Sequence, residues 1–313
     1  MEKVIVTGGA GFIGSHVVEL LLQEKYEPIV VDNLHTGKKE NIPSKVKLYE
    51  VDIVNKEALE KIFQREKPTY VIHLAAQTSI RVSLTDPERD AQTNVIGSLN
   101  ILECSKKYGV KKIIYSASGG TVYGEVKKLP ITEDYPMGII TNHYGVSKYC
   151  VEQYLKLYQY LYNLNYTILR LANVYGPRQD PNGEAGVIAI FMGQLMQDKQ
   201  PLIFGDGEQT RDFIYVKDVA KIIVQSLKSK GKEGIFNVGT GKQTSINYLL
   251  KQIVKTMGKR SSPKYEAAIR GELRHSCLDN TKAKKELGWE PTVNMKEGLQ
   301  ETYGWFKDYA RKH

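Results

Sequence analysis

Residues 3–14 read Lys-Val-Ile-Val-Thr-Gly-Gly-Ala-Gly-Phe-Ile-Gly, and a helical pattern follows from His16 to Glu24. A short apolar run, three glycines at three-residue spacing (Gly8, Gly11, Gly14) and a helix leave few folds open. Glycine is needed where backbone must turn tightly, approach a pyrophosphate and let a helix pack closely on its strand. Phe12 and Ile13, between the glycines, share that turn, and the N–H groups of the following helix have no intrahelical partners, which makes an anion seat. The second apolar run, Pro28–Val31, ends in Asp32 and Asn33. A carboxylate there accepts adenosine ribose hydroxyls and repels a 2′-phosphate, which predicts NAD over NADP, with Lys38 and Lys39 as the opposing charges.

Strands and helices then alternate. Val46–Val51 reads as a strand ending in Asp52 and Ile53, placed to touch an adenine, and Lys56–Arg65 as a helix. Tyr70–Leu74 is a strand running into Ala75, Ala76 and Gln77, small enough at its start for a loop to lie close to a ligand. Ala91–Lys107 reads as a helix and Lys112–Tyr115 as a strand. This alternation predicts an α/β fold, a Rossmann-type doubly wound parallel sheet with helices on both faces. Ligands in such sheets bind at the carboxyl ends of the strands, so Gly8, Asp32, Asp52, Leu74 and Ser116 are expected along one crevice. His73, inside an apolar strand, is expected in the core rather than in the chemistry.

Bulk properties agree with a soluble cytoplasmic protein. The chain has 313 residues, 41% hydrophobic and 25% charged, with no apolar run of membrane-spanning length. Cys104, Cys150 and Cys277 lie far apart, without metal-ligand or disulfide-framework spacing. The net charge of +9 is scattered among acids, with no basic block interleaved with aromatics, so no nucleic-acid or membrane partner is expected.

The chemistry centres on Tyr144-Gly-Val-Ser-Lys148, in a segment that reads as helix from Thr141-Asn142 through Leu161. Four residues advance roughly 6 Å and return to within about 40° of the starting direction, so Tyr144 and Lys148 share one face. A phenol ordinarily keeps its proton to about pH 10, and a fixed ammonium nearby favours the phenolate, which would make the tyrosine a base. Upstream, Ser116-Ala-Ser118-Gly119-Gly120 offers two hydroxyls at a strand end; Ser118 is expected beside Tyr144 on the substrate, with Ser116 as the competing register.

After the strand Tyr166–Leu171 the character changes. Residues 1–171 are expected to form the NAD-binding domain and 172–313 a smaller α/β substrate-binding region, with the chain able to interleave between them. Turn-rich Asn173–Gly183, the helix Gly186–Gln197, Leu202–Phe204 and Arg211–Val216 are suited to capping the crevice. Arg211 stands out because a guanidinium matches phosphate oxygens, the alternative being a surface arginine paired with Asp212. Trp305 and Phe306, on the last amphipathic helix, are expected to pack.

Taken together these blocks resemble the NAD-dependent sugar-nucleotide epimerase/dehydratase family, the extended branch of the short-chain dehydrogenases, and within it the UDP-glucose 4-epimerases. The likeness runs from Val4 to Trp289. It rests on Thr7–Gly14, Asp32-Asn33-Leu34, His73–Gln77, Asn94, Tyr144-x-x-x-Lys148, Leu169–Arg178, Arg211-Asp212-Phe213, Gly271-Glu272 and Asp279–Trp289. The resemblance implies tightly held NAD, Tyr144 as base, Lys148 on the nicotinamide ribose, Ser118 assisting, and Asn94 and Gln77 among the cofactor contacts. For the UDP-sugar substrate it implies Asn173, Val187, Leu202, Phe204, Arg211, Arg270, Arg274 and Ser276, and for the assembly a homodimer through two helices. The family's phosphate-binding arginine falls here on Ile269, leaving Arg270 or Arg274 to replace it. Ser276, three before Asp279, occupies the position that in similar 4-epimerases lies beside the sugar C2 substituent; a small residue there implies room for an N-acetyl group. Dehydratases and decarboxylases of this family carry an acid in the loop after the serine, and here none precedes Glu125. A UDP-glucuronate 4-epimerase would need a cation facing the sugar carboxylate. A non-catalytic NAD sensor would have no use for the Tyr144/Lys148 pair.

Overall fold

The computed structural model describes residues 1–181, 186–229, 233–268 and 273–312. The strands are β1 (Lys3–Thr7), β2 (Glu27–Asp32), β3 (Lys47–Glu50), β4 (Tyr70–His73), β5 (Lys112–Ser118), β6 (Asn165–Leu171), β7 (Asn173–Tyr175), β8 (Leu202–Phe204), β9 (Thr210–Arg211), β10 (Phe213–Tyr215), β11 (Gly234–Val238), β12 (Thr244–Ser245) and β13 (Lys264–Glu266). The α-helices are α1 (Phe12–Gln23), α2 (Lys56–Glu66), α3 (Ile80–Thr85), α4 (Pro87–Ala91), α5 (Gly97–Lys107), α6 (His143–Tyr162), α7 (Val187–Met196), α8 (Val216–Gln225), α9 (Ile246–Met257) and α10 (Met295–Lys312).

Seven strands form one parallel sheet in the order β11-β6-β5-β4-β1-β2-β3. The unbroken apolar runs of the sequence follow from cover on both faces. Val4, Val6, Val30, Ile114 and Leu169 point into a core shared with α1 and α8, through Val17, Leu21, Val219 and Ile223. Their neighbours Ile5, Ile29, Val31, Ile113 and Ile168 point the other way, onto α2, α5 and α6, through Phe63, Ile101, Val151 and Leu155. The order reverses between β1 and β4, and such a switch point opens a crevice at the strand ends.

A third core holds the smaller elements together: Phe191 and Met192 of α7, Tyr215 of β10, Leu249 and Ile253 of α9, and Leu299 and Phe306 of α10. Three two-stranded ribbons, β7 with β10, β9 with β12 and β8 with β13, complete this region. Trp305 stacks on Tyr309, ring centroids 4.9 Å apart. The chain does not stay in this region after β7: α8 lies on α1, and β11 joins the large sheet beside β6.

Several boundaries differ from expectation. Strand β5 runs three residues beyond Tyr115, because Ser116, Ala117 and Ser118 pair with Leu169, Arg170 and Leu171 of β6. The helix expected from Ala91 begins at Pro87, where the Asp86 side chain accepts from Arg89 N at 3.0 Å. Residues Gln92–Ile96 then form one wider π turn before α5. Helix α6 starts where Asn142 caps it, its side chain accepting from Gly145 N at 2.8 Å, and ends at Asn163 in the left-handed region. Among the described residues no helix is long and apolar enough to cross a membrane.

Candidate active site

A crevice of about 450 Å³ opens at the switch point, lined at one end by Gly8, Gly11, Phe12, Ile13 and Gly14. Gly8 has φ +69°, and a Cβ on it would lie 2.7 Å from Ala75 N; a Cβ on Gly14 would lie 2.1 Å from the Gly8 carbonyl oxygen. The loop, the first turn of α1 and the Leu74–Ala76 backbone therefore meet at distances that only glycine allows, leaving peptide N–H groups facing the crevice.

Asp32 ends β2 on the crevice wall. Its Oδ2 accepts from Ala10 N and its Oδ1 from Leu34 N, both at 2.9 Å, so the glycine loop and the following turn fix the carboxylate's direction. Burial raises its pKa, and those two N–H groups oppose the rise. Asn33 donates to Asp52 Oδ2 at 2.8 Å, while Asp52 Oδ1 accepts from Val54 N, which holds Asp52 beside Ile53 on the same wall. Glycine floor, helix N-terminus and strand-end acid fit an NAD, phosphates at the first two and adenosine ribose at the third.

At the other end stand Ser116, Ser118, Tyr144 and Lys148. Both serines are on one face of β5, and of the two it is Ser118 that acts on the Tyr144 phenol. Burial pushes that phenol up to about 12, Ser118 draws it back and the charge of Asp90 adds to the rise. Lys148, 3% exposed, is taken by burial down to about 7, with Asp90 and Glu152 opposing, and its Nζ lies 4.5 Å from the centroid of the Tyr115 ring. Burial is the largest cause at both groups, and Lys148 is not among the causes acting on the phenol. His73 is a core residue, bonded to Thr7 Oγ1 at 2.7 Å and Ser98 Oγ at 2.8 Å and pushed by burial to about 3.

Leu74, Ala75 and Ala76 line the crevice, whereas Gln77 and Asn94 are not part of its lining. The Gln77 backbone and the Asn94 side chain bond each other: Gln77 N donates to Asn94 Oδ1 at 2.8 Å and Asn94 Nδ2 to the Gln77 carbonyl at 2.9 Å. They hold the wall rather than form it. Thr36, Thr78, Thr93, Gln179 and Asp180 do line it and were missed in the sequence, since loop folding alone brings them there.

The expected substrate residues form a second group. Thr210 N donates to the Arg274 carbonyl and Ser276 N to the Thr210 carbonyl, so residues 274–276 run beside β9 and bring Arg211, Arg274 and Ser276 together. Arg211 donates to the Thr210 carbonyl at 2.9 Å. Asp212, its expected alternative partner, is 1% exposed and accepts from Thr240 and from the N–H groups of Gly241 and Leu278. Arg274 makes a bidentate pair with Asp206 at 2.7 Å on each arm, so a diphosphate would have to displace that carboxylate. Two residues beyond buried Ser276, Leu278 packs where a Gly119 Cβ would stand, 2.4 Å from its Cδ1. Gly119, next to Ser118, thereby lets Leu278 of the 274–278 segment pack against the end of β5. Asn173 pairs across β7 with Phe213, Val187 opens α7, and half-buried Leu202 and Phe204 flank Ile203 on β8. Arg270 lies outside the described residues, as does Ile269.

The model of the NAD dependent epimerase/dehydratase family matches residues 4–239. A UDP-glucose 4-epimerase from Mycolicibacterium smegmatis is 40% identical over 99% of this chain and 100% of its own. The crystal structure of a Thermotoga maritima UDP-glucose 4-epimerase with UDP-glucose superposes with a TM-score of 0.96 at 48% identity, covering 98% of this chain and 99% of that one. A UDP-N-acetylglucosamine 4-epimerase from Methanobrevibacter ruminantium, solved with UDP-N-acetylmuramic acid, has a TM-score of 0.93 at 36% identity, over 98% and 99% of the two chains.

Proposed function

Because the chain belongs to the NAD dependent epimerase/dehydratase family, we propose that it acts as a UDP-glucose 4-epimerase, interconverting UDP-glucose and UDP-galactose through a 4-keto sugar. The observation that carries this reading is the Ser118–Tyr144–Lys148 cluster, at the opposite end of one crevice from the glycine floor and Asp32. NAD held in this crevice would supply a reversible hydride acceptor for sugar C4, so the reaction has no net oxidation and needs no second substrate. Tyr144 removes the proton of the sugar 4-hydroxyl as the C4–H bond breaks, and gives it back when the keto sugar has presented its other face. Ser118 hydrogen-bonds the same oxygen, and Lys148 holds the nicotinamide ribose. Gly8, Gly11, Phe12, Ile13 and Gly14 seat the pyrophosphate, and Asp32 the adenosine ribose. Arg211, Arg274 and Asn173 hold the UDP diphosphate, with Val187, Leu202 and Phe204 toward the nucleoside. The protein works in the cytoplasm as a homodimer.

The test is to give purified protein UDP-glucose without added NAD, and to analyse the supernatant of denatured protein by mass spectrometry. UDP-galactose and released NAD are expected. Failure to form UDP-galactose by protein that carries NAD would overturn the proposal.

A further inference from the structure

Asp90 lies on α4, one turn before Asn94, and is 1% exposed. Its Oδ1 accepts from Gln77 Nε2 at 2.9 Å and from Asn94 Nδ2 at 3.1 Å, while its Oδ2 has no hydrogen-bond partner. The other buried carboxylate near the pair, Glu152, is held bidentately by Arg170 at 2.9 and 2.6 Å. Asp90 has no such cation among the described residues. A buried carboxylate held only by two neutral amides is costly, and such a group persists where its charge is put to use.

The hub around Asp90 ends at the reacting pair. Asn94, on the π turn, also donates to Ser147 Oγ at 3.1 Å, and Ser147 Oγ donates to the Tyr144 carbonyl at 2.9 Å. Asp90, Asn94, Gln77 and Ser147 thus tie α4, the π turn and the Leu74–Gln77 loop to α6 between Tyr144 and Lys148.

We infer that Asp90 is a positioning residue for Tyr144 and Lys148, anchoring this hub to α6 and supplying a buried negative charge that keeps the lysine an ammonium. The inference rests on the reading of Tyr144 as the base. Of the two carboxylates that oppose the effect of burial on Lys148, Asp90 acts more strongly and Glu152 less. The remaining groups facing the pair are Tyr115 of β5, under the Lys148 ammonium, Ser118, also of β5, and His73 of β4, neutral because burial holds it near 3. Asp90 raises Tyr144 as well as Lys148. Removing its charge therefore lowers both, and activity that needs a phenolate beside an ammonium moves as a whole to lower pH.

Asp90→Asn keeps the shape and removes the charge; Asp90→Glu keeps the charge. In the NAD-loaded protein, both limbs of the kcat–pH profile of Asp90→Asn should fall by about one unit, with KM for UDP-glucose unchanged and Asp90→Glu close to the parent. The tyrosinate absorbance that disappears in Tyr144→Phe gives the phenol's titration directly and should move the same way. A profile and titration superimposable on the parent's would overturn the inference, as would an equal loss of turnover at every pH, which marks a purely structural role. A parent without UDP-sugar turnover would end the functional reading, while the phenol titration would still decide the role of Asp90. Should Asp90→Asn not fold, Asp90→Gln against Asp90→Glu makes the same comparison.

Discussion

At Tyr144 burial and the neighbouring Ser118 pull in opposite directions, and burial wins, leaving the phenol at about 12. A base so reluctant to ionise works when the field around it favours the phenolate as substrate and cofactor arrive, which makes its neighbours as important as its own hydroxyl. Replacing the phenol by a phenyl ring should lower kcat by roughly 10²–10⁴-fold, the usual worth of a positioned base, without loss of bound NAD. Steady-state rates on Tyr144→Phe check this; near-parental turnover would take Tyr144 out of the mechanism. Gly8, Gly14 and Asp32 were legible in the sequence because their requirements are local: a turn, a close approach, the end of a strand. Gln77 and Asn94 were legible as belonging to the crevice wall but not the bonds between them, and Asp90 passed unnoticed. Asp-x-x-x-Asn is ordinary helix surface until folding buries it.

Among the elements, the 274–278 segment beside β9 carries the residue expected beside the sugar C2 substituent. Ser276 is buried there, its N–H on the Thr210 carbonyl, two residues from the Leu278 contact with Gly119. A serine leaves room that an aromatic ring would fill. UDP-N-acetylglucosamine is therefore expected to turn over about as well as UDP-glucose, and Ser276→Tyr to abolish the acetylated activity selectively, since overfilling a closed site excludes the larger ligand first. Parallel assays with both substrates decide it: equal loss of the two activities would refute the assignment. The apolar periodicities located the strands and helices, yet not every boundary. The last three residues of β5 depend on pairing with β6, a partner remote in sequence. The π turn at Gln92–Ile96 adds a residue to one helical turn with no side chain to announce it.

Across the whole molecule, apolar side chains remain outside on the helices that flank the pair: Ile96 is 42% exposed, Val146 51%, Leu157 44% and Leu161 51%. Ile96 lies at the end of the π turn and the others on α6, where a second copy would cover them, in keeping with the proposed homodimer. Light scattering on the eluting protein should give twice the chain mass, and Leu157→Asp should give the single mass; an unaltered dimer would place the interface elsewhere. The sheet itself sets an order of assembly. Its β6 edge is closed by β11, which leaves the ribosome only after β7 to β10 and α7 and α8 have been made. At roughly 5–20 residues per second, the nascent chain spends several seconds with the apolar strand Asn165–Leu171 unpaired on one side. Until Val238 emerges, the half of the protein that carries the crevice has the apolar strand β6, buried in the finished fold, as its edge, and this is the interval in which a chaperone, or another unfinished copy, can reach it.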